Sequence, residues 1–179
     1  MRMMGVLLVS WLAVLTLAGC SSSEVETPET SDPEAVWAVG GEKVPIMPSR
    51  RHLDPNESHE PYNSFPATSG PHYPIWWQEW GVVEFEIPDE VAVHNMEHGG
   101  VLIRYDCPQG CAELVTKLVA ITEQFSKVIL SPLSKMDTTI ALTAWGYLDK
   151  FNDFDSERIL GFIDQHLNSP ESPEPLVFP

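Results

Sequence analysis

Apolar and polar positions are most regular in the second half of the chain. Val101-Leu102-Ile103-Arg104-Tyr105 is a run of strand-forming residues and predicts a short β-strand. Leu114, Leu118, Ile121 and Phe125 then recur at helical spacing, with Val115 and Val119 widening the stripe. They predict an amphipathic helix over Ala112 to Gln124, packed on the sheet. Val128-Ile129-Leu130 predicts a second strand, stopped before Pro132. Thr139 to Trp145 alternates, with Ile140, Leu142 and Ala144 on one face of a third strand. Asp155 or Ser156 can cap a last helix whose Ile159, Leu160, Ile163 and Leu167 face inward. The order β-α-β-β-α predicts a small sheet covered by helices, of the α+β class.

The first half lacks this regularity. Pro45, Pro48, Pro55, Pro61, Pro66, Pro71 and Pro74 punctuate it and exclude long helices, so it reads as an irregular Pro-rich half. Trp37 to Val44 fits a small hairpin around Gly40-Gly41. Trp76 and Trp80 would share one face of a short helix, with Trp77 between them; core covering explains the three better than a binding platform does. Val91-Ala92-Val93 is β-like, and Gly99-Gly100 can take positive φ. The expectation there is a strand end, a tight turn, and a new strand at Val101.

The chain ends set the organisation. Arg2 precedes an apolar run, Val6 to Leu17, that is too short and wrongly flanked to span a membrane. It closes on Leu17-Ala18-Gly19-Cys20, which resembles the lipobox of bacterial lipoproteins. The expectation is a signal peptide over 1–19, with Cys20 lipid-modified and holding the protein to the membrane of a bacterial cell envelope. Ser21 after that cysteine resembles the outer-membrane sorting default of a two-membrane cell. Residues 20–35, rich in Ser, Thr, Glu and Pro, read as a flexible tether. One domain over 36–168 follows, then an extended Pro-rich tail over 169–179. With Arg2 removed, nine Lys and Arg remain against 26 Asp and Glu, a formal charge of −17. Nucleic acid is therefore no partner. No feature identifies a protein partner.

The densest cluster of metal-capable side chains is His94-Asn95-Met96-Glu97-His98-Gly99-Gly100. On a strand, positions four apart lie about 13 Å apart, too far to share an ion. On a helical turn they are about 6 Å apart on one face. Both histidines can grip one metal only if this run leaves the extended path. The run also spells H-x-x-E-H, a zinc-peptidase pattern with Glu97 as base. That pattern belongs on a long helix with a distant acidic ligand, and Gly99-Gly100 stops a helix. The plainer alternative is a polar turn whose histidines bond to backbone.

Other residues are candidates of lower rank. Gly70 and Pro71 would hold the His72 ring in a rigid turn. His52 is a further candidate ligand, whereas His59 and His166 are expected to be exposed. Cys107 and Cys111 can turn back on each other, so an exported chain favours a disulfide over a redox or copper-binding thiol pair. Met47, Met96 and Met136 are too few for a methionine-rich cuprous carrier.

Three motifs occur together and in order: Thr68-Ser69-Gly70-Pro71-His72, the His94 to Gly100 run, and Ala141-Leu142-Thr143-Ala144-Trp145-Gly146. In this the chain resembles the domain of unknown function 3105 family of bacterial envelope proteins, over roughly His52 to Asn168. Leu is usual where this chain has Met96, so the thioether is not an essential ligand. The resemblance implies that His52, His72, His94 and His98 occupy characteristic positions, that members are exported or membrane-anchored, and that the cysteine pair is optional. It implies no reaction.

Three or four imidazoles suit zinc or copper. The leading expectation is a Cu(II) or Zn(II) site of His94, His98 and His72. Glu97 would orient an imidazole or be a fourth ligand, and His52 is next in line. The role would be metal handling or metalloenzyme assembly. The alternatives are a metal-dependent hydrolase with Glu97 as general base, and a structural or interaction lipoprotein without metal. No nucleophile elbow, phosphate loop or substrate signature appears, which disfavours an enzyme.

Overall fold

The computed structural model of the protein describes residues 40–75 and 79–175. The leader, Cys20, the tether, Trp37, Trp76 and Trp77 lie outside the described residues. Two short strands, β1 (Glu42–Lys43) and β2 (Gly81–Val82), precede helix α1 (Asp89–Glu97). Then come β3 (Val101–Tyr105), α2 (Ala112–Thr122), β4 (Val128–Pro132), β5 (Ile140–Ala144), β6 (Tyr147–Phe151) and α3 (Ser156–His166). The strands form one mixed sheet in the order β1-β6-β5-β3-β4-β2. β3 and β4 run parallel, joined through α2; β5, β6 and β1 are antiparallel additions. This is an α+β architecture.

Alternation along the strands gives the sheet two apolar faces. Val101, Ile103, Val128, Leu130, Ile140 and Leu142 point to one, where α2 and α3 cover them. Leu102 and Ile129 point to the other, where α1 lays down Ala92, Val93 and Met96. Arg104 lies on that second face and is fully buried. Its Nη1 donates to Ser131 Oγ at 2.6 Å, and burial pulls its pKa down to about 10 against the opposing pull of Asp89 and Glu86.

The predicted helices and strands of the second half appear, with differences that have physical reasons. A further strand, β6, follows β5 through the two-residue turn Trp145-Gly146, where Gly146 adopts φ 73°. Asp149 and Lys150 mask its apolar pattern, and Asp149 is there to grip the Arg158 guanidinium. β4 runs through Pro132 rather than stopping before it. In α3 the inward face is Ile159, Phe162, Ile163 and His166, one i, i+3, i+4, i+7 stripe; Leu160 falls off it and is exposed. Glu42 and Lys43 pair with β6, while the first strand of the hairpin expected around Gly40-Gly41 lies outside the described residues. Residues 169–175 form turns rather than an extended tail.

His166 is buried, contrary to expectation. Its Nε2–H donates to Gly40 O at 2.8 Å, and Tyr147 and Phe162 pack against the ring. Burial lowers its pKa, outweighing the Gly40 bond and the Glu171 charge that would raise it. Folded protein thus binds this proton less well than unfolded chain. The stability contribution is fully present above the unfolded value, about 6.5, and is lost as pH falls below it. The urea midpoint of metal-free protein should therefore fall between pH 7.5 and 5.5. H166Q, which keeps a donor but cannot titrate, should flatten part of that slope. An unchanged slope would refute the assignment.

Candidate metal centre

Two segments build the site. The first is α1, which overturns the strand and tight turn expected from Val91 to Gly100. Pro88 opens the helix, and Asp89 and Glu90 occupy its first turn, where acidic groups favour the dipole. The β-branched preference of Val91 and Val93 is a weak bias. It loses to the burial of Ala92, Val93 and Met96 against the sheet. The helix stops where the glycines permit: Gly99, at φ 78°, donates to Met96 O, and Gly100 donates to Asn95 O at 3.0 Å. A Cβ on Gly100 would lie 2.6 Å from the Trp80 ring, which closes this corner. His94, Glu97 and His98 therefore share one helical face.

The second is the Pro-rich segment. His52 and His72 face each other across an isolated parallel bridge, in which Leu53 N donates to His72 O and His72 N donates to Arg51 O. Buried Leu53 anchors one side, while Ser69 Oγ accepts from Met47 N and Tyr62 Oη donates to Pro71 O on the other. Tyr73 N donates to Glu90 O, tying the segment to α1. His72 is fully buried by this, far more rigid than a solvated loop histidine.

Five sequence candidates meet here. Ring centroids of His52 and His94 are 5.4 Å apart and nearly parallel; those of His94 and His98 are 4.9 Å apart. The His72 ring stands edge-on, 5.0 Å from both His52 and His94. His94 Nε2 lies 3.0 Å from His98 Nε2, and His72 Nε2 lies 3.0 Å from Glu97 Oε2. Two sets of three side chains could hold a metal ion: His52, His72 and His94, and His94, Glu97 and His98, with donor atoms within 4.8 Å in each. A cavity of about 370 Å³ opens beside them, lined also by Pro74, Ile75 and Glu174. His52 is exposed; the other four are buried.

Backbone carbonyls decide which ring nitrogens face inward. Gly70 O accepts from His72 Nδ1–H, and Tyr73 O accepts from His94 Nδ1–H. In the neutral rings both Nε2 atoms therefore present lone pairs. Burial lowers the pKa of His94 and His98, with the His94 charge adding to the effect at His98, so both favour the neutral, ligating form. Burial alone would raise Glu97, but the adjacent His72, then His94 and Arg50, prevail and hold it below the ordinary carboxyl range. His72 Nε2 is buried and has no aligned hydrogen-bond partner among the described residues, despite its nearness to Glu97.

Some contributors could not be found by reading residue types. The chain after Asn168 returns to the site: Glu174 N donates to Glu97 O, and Glu174 Oε2 lies 3.8 Å from His98 Nδ1. Lys127 Nζ donates to His98 O, Asn168 Oδ1 and Pro175 O, clamping that return. His59 lies apart from the cluster and is half-buried, not exposed, near Glu90. Cys107 and Cys111 are joined as a disulfide with a Cα–Cα distance of 5.8 Å, so neither thiol is available as a ligand. Met96 is buried in the core and is no ligand either.

A family model described as "Protein of unknown function (DUF3105)" matches residues 52–177. No curated protein and no solved structure matches the chain. The first and third sequence motifs touch directly, through a Gly146 N to Thr68 O hydrogen bond, and the first and second touch through His72 and Glu97.

Proposed function

The chain belongs to the DUF3105 family, whose description carries no activity, and we propose from the site itself that it binds a single transition-metal ion, copper or zinc. In this reading His52, His72, His94, His98 and Glu97 supply the donors. The protein is held to the cell envelope by lipid on Cys20 and handles the metal or helps assemble a metalloenzyme there. One observation carries the metal reading. The Nε2 atoms of His72, His94 and His98 converge with the Glu97 carboxylate in a buried site. His72 Nε2 has no aligned hydrogen-bond partner among the described residues, and a buried polar atom left so is costly. A cation turns that cost into bonding. The nitrogen-rich donor set favours zinc or copper over calcium or magnesium, which take oxygen ligands.

The test is metal analysis of purified chain dialysed against zinc or Cu(II) and freed of loose ion. One ion per chain is expected. E97Q should weaken binding by about 10- to 100-fold, the usual effect of disturbing a shell partner. Protein that stays metal-free would end the proposal. Retained metal with E97Q-abolished turnover of an ester or peptide would replace it with the hydrolase. The envelope assignment has its own measurement: C20S should move the protein from the membrane to the soluble fraction.

A further inference from the structure

We propose that the cluster offers its ion two alternative positions that share His94, so that the site passes a cation along rather than storing it. This deepens the metal-binding reading and rests on it. The two donor sets, His52/His72/His94 and His94/Glu97/His98, overlap only at His94. His94 Nδ1 is held by Tyr73 O, which leaves Nε2 as the donor for either set. A neutral imidazole nitrogen has one lone pair and binds one ion. The positions are therefore mutually exclusive, and the chain takes one ion, not two.

The two positions differ in access and chemistry. His52 is exposed and completes an all-nitrogen set, while Glu97 and His98 are buried and add a carboxylate. The rings of His52, His94 and His98 form a row in which His94 is the central member, nearly parallel to both neighbours. An ion entering at His52 would keep its His94 bond throughout. Its bonds to His52 and His72 would break as bonds to the Glu97 carboxylate and His98 Nε2 form. The metal's oxidation state does not change. Bonds near 2 Å require donors to close to within about 4 Å, a small contraction of either set. The exposed imidazole is then the exchange ligand, and the substrate is a divalent cation delivered by, or surrendered to, a donor outside the protein.

Cu(II) titrated into the full chain and followed by electron paramagnetic resonance tests this, alongside withdrawal of the ion by EDTA. Wild type should take one ion and show two Cu(II) signals. H52A should lose one signal, H98A the other, each still holding an ion. EDTA should withdraw copper more slowly from H52A than from wild type, because the exposed exchange ligand is gone. A single wild-type signal, two ions per chain, or unchanged withdrawal from H52A would overturn the two-position proposal while leaving the metal site standing. Wild type that takes no ion would instead sink the metal reading beneath it.

Discussion

Replacing His94 with alanine should abolish tight metal binding, the largest single effect expected in this protein. His94 belongs to both donor sets, so neither set survives its loss. A His52 or His98 variant instead leaves one of the two sets whole. Affinity should fall by at least about a thousandfold, since structural transition-metal sites draw on all of their coordinating groups. Calorimetry with zinc reads this directly. Stability supplies a second readout. An ion at about a hundred times its Kd should stabilise wild type by about 2.7 kcal/mol, less whatever the unfolded histidines bind. H94A should show no such gain. The variant loses the bond to Tyr73 O, so circular dichroism must first show it folded. Folded H94A that still binds zinc as wild type does would refute the shared-ligand geometry.

R104A should be the most destabilising single substitution outside the metal centre, by about 2–5 kcal/mol, the cost of emptying a large, fully buried side-chain site. Few domains hold more than about 5–15 kcal/mol in total. Arg104 is fully buried between β3 and α1, and its guanidinium bonds Ser131 on the neighbouring strand. Its field opposes the rise that burial imposes on Asp89, in the first turn of α1. Removing it leaves a void and strands Asp89. R104M restores much of the stem volume and should recover part of the loss. R104M/D89N, which removes both charges, should be more stable than the sum of its single variants predicts. Urea midpoints across that cycle decide the matter; simple additivity would show that Arg104 acts by packing alone. Because α1 carries His94 and Glu97 and ends at His98, folded R104M should also bind zinc more weakly than wild type.

Legibility was uneven for identifiable reasons. The second half was readable because its periods are clean: Leu118 and Ile121 mark one helix, and Ile140, Leu142 and Ala144 mark one strand face. β6 was missed because Asp149 and Lys150 break its pattern, and their partners, Arg158 and Asp137, lie elsewhere in the chain. His166 was misplaced because a histidine among apolar neighbours at helical spacing looks the same whether it meets water or Gly40. At Val91 to Val93 tertiary packing overrides local preference. Local β preference pointed to a strand, yet the site required a helical turn, and the packing of Met96 and Val93 supplied it.

Residue types alone marked out His52, His72, His94, His98 and Glu97, because imidazoles and carboxylates are chemically distinct wherever they stand. The motif order also identified the family. Only the folded chain decided that these five converge, that Gly70 and Tyr73 turn two lone pairs inward, and that Glu174 returns from the far end of the chain. Carbonyl oxygens occur at every residue, so their placement carries no signature in the sequence. Convergence arises from long-range contacts: one bridge between His52 and His72, and one helix laid across the sheet.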